Sequence, residues 1–334
     1  MENKLIVSHA PHISDNNSVN RIMLNVIIAM LPALLAGCLV FGYRALVVVL
    51  TCVISCVIAE AVWQKVLKKP VTVTDYSAVV TGMLLAFNLP PSIPLWMAVV
   101  GSVFAIIVVK QFFGGLGHNF MNPALGARAF LLASWALAMT TWTAPGTHLA
   151  LFNNADAVTT ATPLALYESA GGDGAVQSLP SYLTLFAGRT GGCIGETSAL
   201  AILIGAAYLL ICKVIRLRVP VAFIVTVALG TWIFGGKDGL FSGDWLYQIL
   251  SGGLMLGAFF MATDYTTTPY TPIGQIIFGI GCGVFTVLIR IWGGYPEGVS
   301  YSILIMNIVT PLIDKVTAPR RYGESISKKE AARA

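Results

Sequence analysis

The sequence predicts an all-α polytopic membrane protein with about ten transmembrane helices. Of its 334 residues, 56% are hydrophobic and only 10% are charged, whereas soluble domains carry about 25% charged residues. The mean hydropathy is +0.79, and apolar runs of about 20 residues, the length that crosses a bilayer, recur along the chain. The basic residues are not gathered into one patch. We therefore expect lipid, and not nucleic acid, around the protein.

Ten spans are predicted, with ends uncertain by a few residues. They are Ile22–Gly42, Ala45–Trp63, Ser77–Leu89, Leu95–Lys110, Ala124–Thr143, Ile194–Cys212, Val219–Phe234, Trp245–Ala262, Ile273–Arg290 and Val299–Ile313. Residues 1–21 lack the pattern of a signal peptide and are predicted to be a cytoplasmic segment before an uncleaved first span. The spans form halves at 22–144 and 194–316, separated by an extracytoplasmic loop at 145–193. Residues 317–334 form a cytoplasmic tail.

The basic residues predict the orientation, because they accumulate on the cytoplasmic side of membrane proteins. With a cytoplasmic N-terminus, sixteen Lys and Arg fall inside and four fall outside. The outer four are Arg44, Arg189, Lys237 and Arg290. Both termini are therefore predicted to be cytoplasmic, in a prokaryotic inner membrane.

A short polar sequence recurs beside a short or interrupted helix in each half. Thr74-Asp75-Tyr76 precedes the third span, and Thr263-Asp264-Tyr265 follows the eighth. Paired broken helices in inverted repeats enclose sites near the membrane midplane. We therefore expect two inverted five-helix halves, with Asp75 and Asp264 facing the bundle interior as a candidate polar membrane site. The alternative is that both carboxylates simply mark the cytoplasmic interface.

The predicted extracytoplasmic loop contains the stretch Asp156-Ala157-Val158-Thr159-Thr160-Ala161-Thr162, followed by Pro163. A proline biases the preceding residue toward an extended backbone, which would hold the Thr162 side chain outward for attachment of a group. The alternative is a Thr-rich turn whose hydroxyls bond to local backbone groups. In the first interpretation, Asp156, Thr159 and Thr160 support the site.

Other reactive residues give no site. The six cysteines include no C-x-x-C pair and the four histidines have no ligand spacing, so neither a metal nor a disulfide framework is predicted. No catalytic acid, base or nucleophile is assigned. The paired glycines are typical of close helix packing and span ends.

Several stretches together resemble the D subunits of Rnf complexes. The spacing D-x-x-T-x-A-T that ends at Thr162 is similar to the flavinylation motif of membrane subunits in Rnf and sodium-pumping NADH:quinone reductase complexes. The other stretches are 10–12, 18–23, 117–124, 191–196, 261–264 and 293–298. The short N-terminus favours Rnf over the B subunit of the reductase.

The resemblance implies an electron-carrying membrane subunit in a complex that links ferredoxin and NAD⁺ to movement of Na⁺ or H⁺. Thr162 would carry covalent FMN through a phosphoester, a noncovalent riboflavin could bind in the membrane region, and the fold would be similar to urea and ammonium channels. The implied partners are the other Rnf subunits, including a second flavin-carrying subunit and iron–sulfur subunits. Two alternatives stay open: a subunit of sodium-translocating NADH:quinone reductase, and a solute channel or transporter of similar fold.

Overall fold

The computed structural model of the protein describes residues 18–146, 159–169, 179–236, 239–294 and 297–319. Over these ranges the chain is helical, and its only β pairing is an isolated antiparallel bridge between Thr143 and Thr159. The first-half helices are α1 Val19–Phe41, α2 Tyr43–Val66, α3 Ser77–Phe87, α4 Leu95–Val103, α5 Pro123–Ser134 and α6 Ala136–Met139. Next come α7 Pro163–Ser169, α8 Tyr182–Ala187, α9 Ala199–Ile211, α10 Arg218–Phe234, α11 Trp245–Leu250, α12 Leu254–Leu256, α13 Pro272–Trp292 and α14 Val299–Thr317. The π-helical segments Phe104–Gln111 and Gly257–Met261 extend α4 and α12.

Four described helices, α1, α2, α13 and α14, are long and apolar enough to cross a membrane. Their outward faces carry large exposed apolar side chains, such as Leu39, which is 87% exposed. Large apolar surface of this kind needs a cover of lipid or protein. The prediction of an all-helical membrane protein is thus confirmed at this level.

Several helices begin directly after a residue whose side chain caps the first helical turn. The Ser18 hydroxyl accepts a hydrogen bond from the Arg21 amide at 3.3 Å and caps α1. Asn122 Oδ1 accepts from the Ala124 amide at 3.0 Å, and Pro123 stands at the first position of α5, where a missing amide hydrogen costs nothing. Thr271 and Pro272 start α13 in the same way.

The sixth predicted span begins five residues too early. Helix α9 starts at Ala199, where the Ser198 hydroxyl accepts from the Ala201 amide at 3.3 Å. The preceding stretch is not helical because its amides bond elsewhere: Ile194 N donates to Leu89 O at 3.1 Å, and Gly195 N donates to Phe87 O at 3.0 Å. The stretch therefore lies against the end of α3.

Two predicted spans are interrupted. The fifth breaks at Trp135, between α5 and α6 (φ −135°, ψ 58°). The eighth breaks between α11 and α12, where Gly252 has a left-handed backbone with φ 65°. Arg290 of α13 stabilises the second break, because Nη1 donates to Gln248 O at 2.7 Å and Nη2 donates to Ser251 O at 3.3 Å.

Glycines bring α10 and α13 into close contact. A Cβ added at Gly279 would lie 2.8 Å from Ala222 Cβ, and one at Gly283 would lie 2.5 Å from Thr226 Cβ. Small residues four apart allow membrane helices to approach closely. These two glycines are not among the paired glycines of the sequence analysis.

Four basic residues counted as loop markers are buried among the helices instead. The predicted topology places Lys110 and Arg128 inside and Arg44 and Arg290 outside, yet each is at most 6% exposed. Their assignment to loops was wrong, because each bonds to groups inside the protein. Removing two from each side leaves fourteen basic residues against two, so the predicted orientation does not depend on them.

Candidate functional site

Thr162 lies immediately before α7 and is buried, with 5% of its surface exposed. Its Oγ1 accepts a hydrogen bond from the Ala165 amide at 3.2 Å, as a helix-capping residue does. The prediction that its side chain is held outward was therefore wrong. The cap and the surrounding cleft turn the hydroxyl inward.

The other motif residues differ from Thr162 in exposure. Thr159 and Thr160 are both exposed. Thr159 pairs with Thr143 in the isolated bridge, and Thr160 N donates to Trp142 O at 3.0 Å. Asp156 lies outside the described residues. The structure thus brings the segment before Thr162 against the chain that follows α6.

Thr162 lines a narrow cleft, which we call the threonine cleft. Its other lining residues come from the stretch before α9, the break after α11 and the turn before α14; they include Thr190, Gly191, Gly192, Glu196, Thr197, Ser251, Gly252 and Glu297. A Cβ at Gly192 would lie 3.2 Å from Glu196 Oε1, and one at Gly253 would lie 2.8 Å from Glu196 Oε2. The two glycine pairs therefore make room for the Glu196 carboxylate.

Two tyrosines fix α7 over this cleft. The Tyr247 hydroxyl donates to Pro163 O at 3.1 Å, and the rings of Tyr167 and Tyr247 stack with centroids 5.0 Å apart.

The Tyr182 hydroxyl donates to Asp244 Oδ2 at 2.6 Å, a bond that raises the pKa of Tyr182 to about 12. This hydroxyl stays protonated at physiological pH.

Glu297, which lines the threonine cleft, belongs to a buried ion pair. Arg128 Nη2 contacts Glu297 Oε2 at 2.5 Å, while Arg128 Nη1 donates to Asn88 Oδ1 at 2.9 Å and to Ser300 Oγ at 2.8 Å. Burial, together with the neighbouring Glu196 carboxylate, raises the pKa of Glu297 to about 7 although Arg128 opposes the change. The carboxyl is thus placed to change charge near neutral pH.

Two hydrogen-bonding atoms beside the cleft have no partner among the described residues. Ser251 Oγ lies in the cleft wall, and Arg290 Nε belongs to the side chain that holds the neighbouring break. Ser251 is 1% exposed and Arg290 is 6% exposed. Buried polar groups in native proteins are almost always bonded. Ser251 Oγ shares the cleft with Thr162, so it could donate to a ligand with acceptor oxygens, such as a phosphate ester on Thr162.

Three possible metal-ligand atoms, from Cys193, Glu196 and Glu297, lie within 4.8 Å of one another. The Arg128 guanidinium already bonds to Glu297 and lies 3.8 Å from Cys193 Sγ. A cation would have to displace that charge, so the arrangement favours the ion pair. The sequence prediction of no metal stays a prediction.

Asp264 and Asp75 lie in different depressions. Asp264 lines a cavity of about 100 Å³, the "interior cavity", together with Ser77, Lys110, Asn119 and Asn122. Asp75 lines the "rim cleft", which also contains Gln64, Thr72 and Gln111. The structure therefore does not bring the two carboxylates into one site.

The two aspartates have matching local bonds. Ser77 Oγ donates to Asp75 Oδ1 at 2.6 Å, and Thr266 Oγ1 donates to Asp264 Oδ2 at 3.0 Å. In each case the hydroxyl is two residues after the aspartate, so the repeated sequence is T-D-Y followed by Ser or Thr. Burial raises the pKa of Asp264, although the bonds from Thr266 and Thr267 lower it.

Sequence reasoning missed the buried charges Arg128, Arg290 and Glu297. A usable signal was present for the arginines, because each interrupts a strongly apolar run: Leu125 to Leu132 for Arg128, and Val284 to Trp292 for Arg290. An ionisable residue within a membrane helix faces the protein interior and has a partner. That rule identifies both arginines without identifying their partners.

The chain matches the model of the NQR2, RnfD, RnfE family over residues 6–323. It is 55% identical to the D subunit of the Na⁺-translocating ferredoxin:NAD⁺ oxidoreductase complex of Acetobacterium woodii, with 99% of each chain covered. It is 47% identical to the D subunit of the proton-translocating complex of Clostridium ljungdahlii, covering 96% of this chain and 97% of the relative. It is 39% identical to the D subunit of an ion-translocating oxidoreductase complex of Stutzerimonas stutzeri, with 92% and 93% covered. The chain therefore belongs to the NQR2, RnfD, RnfE family.

Proposed function

We propose that the chain is the flavin-carrying D subunit of an Rnf-type membrane complex that passes electrons between ferredoxin and NAD⁺ and couples them to movement of Na⁺ or H⁺. The relatives named as D subunits of such complexes cover nearly the whole chain. The observation that carries the flavin assignment is Thr162, the last residue of the motif, in a cleft whose wall holds an unpartnered donor.

The contacts of Thr162 are compatible with a phosphoester to FMN. Its Oγ1 accepts from the Ala165 amide and donates to no described group, so an ester oxygen without a hydrogen could keep that bond. Ser251 Oγ, which lines the cleft together with Thr162, would donate to a phosphate oxygen. The bound flavin supplies the redox chemistry, and the protein supplies position and electrostatics.

The remaining half-reactions belong to other subunits in this proposal. No nucleotide-binding glycine loop between a strand and a helix occurs in the sequence, so we assign NAD⁺ and ferredoxin to partners that include a second flavin-carrying subunit and iron–sulfur subunits. The fourteen-to-two charge bias supports an inner-membrane protein with both termini in the cytoplasm.

The proposed membrane architecture is ten helices in two inverted halves, similar to urea and ammonium channels. The matching hydrogen bonds of Asp75 and Asp264, one in each half, support it. The interior cavity is our proposed position for a noncovalent riboflavin, because its apolar walls carry a few convergent polar groups.

Flavin fluorescence of the denatured polypeptide in a gel tests the proposal. The wild-type band should fluoresce under ultraviolet light, Thr162→Ala should not, and Thr162→Ser should keep partial labelling because it retains a hydroxyl. Thr197→Ala is the matched control, since Thr197 is also 5% exposed and lines the same cleft. A fluorescent Thr162→Ala band contradicts the assignment.

The second candidate is a solute channel or transporter. The interior cavity and the interrupted helix at Gly252 favour it, because irregular backbone in a membrane protein commonly lines a cavity. It predicts a non-fluorescent wild-type band and solute flux through the isolated subunit in liposomes. The flavin-subunit proposal predicts a fluorescent wild-type band and no solute flux through the isolated subunit.

A further inference from the structure

Lys110, which lines the interior cavity, forms a buried ion pair with Glu60. Lys110 Nζ donates to Glu60 Oε1 at 2.8 Å and to Glu60 Oε2 at 3.0 Å, and the side chains are 2% and 1% exposed. Ionisable residues in a membrane bundle are costly and usually functional. The threonine cleft does not include this pair.

A π-helical turn places the pair. Lys110 and Gln111 are consecutive, yet both donate to Glu60 Oε1, at 2.8 Å and 2.7 Å. Both belong to the π-helix Phe104–Gln111, and π-turns inside α-helices are frequent at functional sites. Gln64 Nε2 adds a third, longer contact to the same oxygen at 3.4 Å. Glu60 is thus held in place by three neighbours.

A second chain of bonds leads from Lys110 to the rim cleft. Lys110 Nζ donates to Ser77 Oγ at 2.6 Å, and Ser77 Oγ donates to Asp75 Oδ1 at 2.6 Å. Lys110 and Ser77 line the interior cavity, whereas Asp75 lines the rim cleft. The three side chains therefore cross the wall between the two depressions through two short hydrogen bonds.

We infer that Asp75, Ser77 and Lys110 form a proton path between the rim cleft and the interior cavity, with Glu60 as the fixed counter-charge. The ammonium already occupies the Glu60 carboxylate, so a metal cation would have to displace it. Each link instead carries a proton that can move along a short hydrogen bond. Gln64 and Gln111 cannot take part in such transfer, and this confines the path to Ser77.

The transfer balances in protons and charge. Lys110 gives a proton to a basic group in the interior cavity, such as the Asp264 carboxylate through water, and becomes a neutral amine. Water in the rim cleft protonates the Asp75 carboxylate, which accepts the Ser77 hydroxyl in the resting state. The Ser77 hydroxyl then turns to donate to the neutral Lys110 amine, and it passes its proton to that amine while it accepts the proton of Asp75. Asp75 returns to a carboxylate and takes its next proton from water in the rim cleft.

This inference rests on the proposed function in one respect: the proposed electron transport is the reaction that consumes the protons. Proton uptake by the purified complex during one reduction by reduced ferredoxin can be followed with a pH dye in weakly buffered solution. Ser77→Ala and Asp75→Asn should slow uptake about tenfold or more, since positioned proton-transfer groups contribute at least that much. Ser77→Thr should stay near the wild-type rate, because it restores a hydroxyl.

Two controls separate a proton path from structural damage. Ser102→Ala removes another fully buried serine hydroxyl, which donates to Ala98 O of its own helix, and should leave uptake unchanged. In Asp75→Asn the amide oxygen still accepts the Ser77 bonds, so the local turn persists while the proton acceptor is lost. In D₂O the rate of proton uptake by the wild type should fall. The ratio of the uptake rates in H₂O and D₂O should differ in Ser77→Ala.

Proton uptake at the wild-type rate in both Ser77→Ala and Asp75→Asn would overturn the inference. The Lys110–Glu60 pair would then have a structural role only. An equal loss in Ser102→Ala would overturn it too. The gel fluorescence of these same variants keeps the two proposals distinct. A fluorescent band with unchanged proton uptake contradicts only the proton path, and a dark wild-type band contradicts the flavin assignment.

Discussion

At the residue scale, Thr162 and Glu297 line the same cleft although they are distant in the sequence. Of the three motif threonines, Thr159 and Thr160 are exposed and Thr162 is buried. Glu297 offers a carboxyl with a pKa of about 7, held by Arg128. A charge placed on the Thr162 side chain would therefore act on a neighbour that titrates near neutral pH.

Glu297→Gln should remove a pH dependence of stability. The folded-state pKa of Glu297, about 7, is above its ordinary value of 4.5. Its contribution to the free energy of unfolding is therefore fully present below about pH 4.5 and is lost as the pH rises through about 7. The thermal midpoint of the detergent-solubilised subunit should fall across this interval in the wild type more steeply than in Glu297→Gln.

The matched control for that titration is Glu168→Gln, which changes an exposed carboxylate on α7. It should leave the pH profile as in the wild type. Identical profiles for wild type and Glu297→Gln would contradict the assigned pKa.

At the scale of elements, the break between α11 and α12 builds part of the threonine cleft. Gly252 has φ 65°, and a Cβ there would lie 3.1 Å from Arg290 Nη2. The left-handed backbone and the close guanidinium both disfavour a side chain. The break thus depends on one residue in the loop and one on α13.

Gly252→Ala should destabilise the subunit by roughly 1–3 kcal/mol, as strained positions do, and should lower its thermal midpoint. Gly294→Ala serves as the control, because a Cβ at Gly294 meets no atom within 4 Å and its backbone needs no positive φ. Equal midpoints for the two variants would show that the Gly252 conformation is not required.

The sequence predicted the helices better than their interruptions, for a physical reason. Asn122-Pro123 and Thr271-Pro272 are local start signals, so α5 and α13 begin within one residue of the predicted spans. The break at Gly252 depends on bonds from Arg290, a partner that no local pattern reveals. Burial of Thr162 likewise depends on distant residues such as Ser251 and Glu297 that meet it only in the fold.

At the scale of the whole molecule, the proposed orientation rests on charge rather than on the helices. Once the four buried basic residues are set aside, fourteen remain on the predicted cytoplasmic side and two on the other. Basic residues near span ends stay cytoplasmic in membrane insertion. The threonine cleft should therefore lie toward the extracytoplasmic side and the rim cleft toward the cytoplasm.

Cysteine labelling measures that orientation. With an impermeant thiol reagent added outside whole cells, Gly172→Cys should react and Ser327→Cys should not, in a background with the exposed Cys212 changed to Ser. Both positions lie outside the described residues and within the predicted loop and tail. Labelling of Ser327→Cys alone would reverse the orientation.

The most direct measurement of the central claim is mass spectrometry of the proteolytic peptide that contains Thr162, taken from the purified complex. This peptide should be heavier by one FMN less one water, and fragmentation should assign the added mass to the Thr162 side chain. The same peptide from Thr162→Ala should have no added mass. An unmodified Thr162 peptide in a fully assembled complex, or a flavin on another residue, would contradict the account.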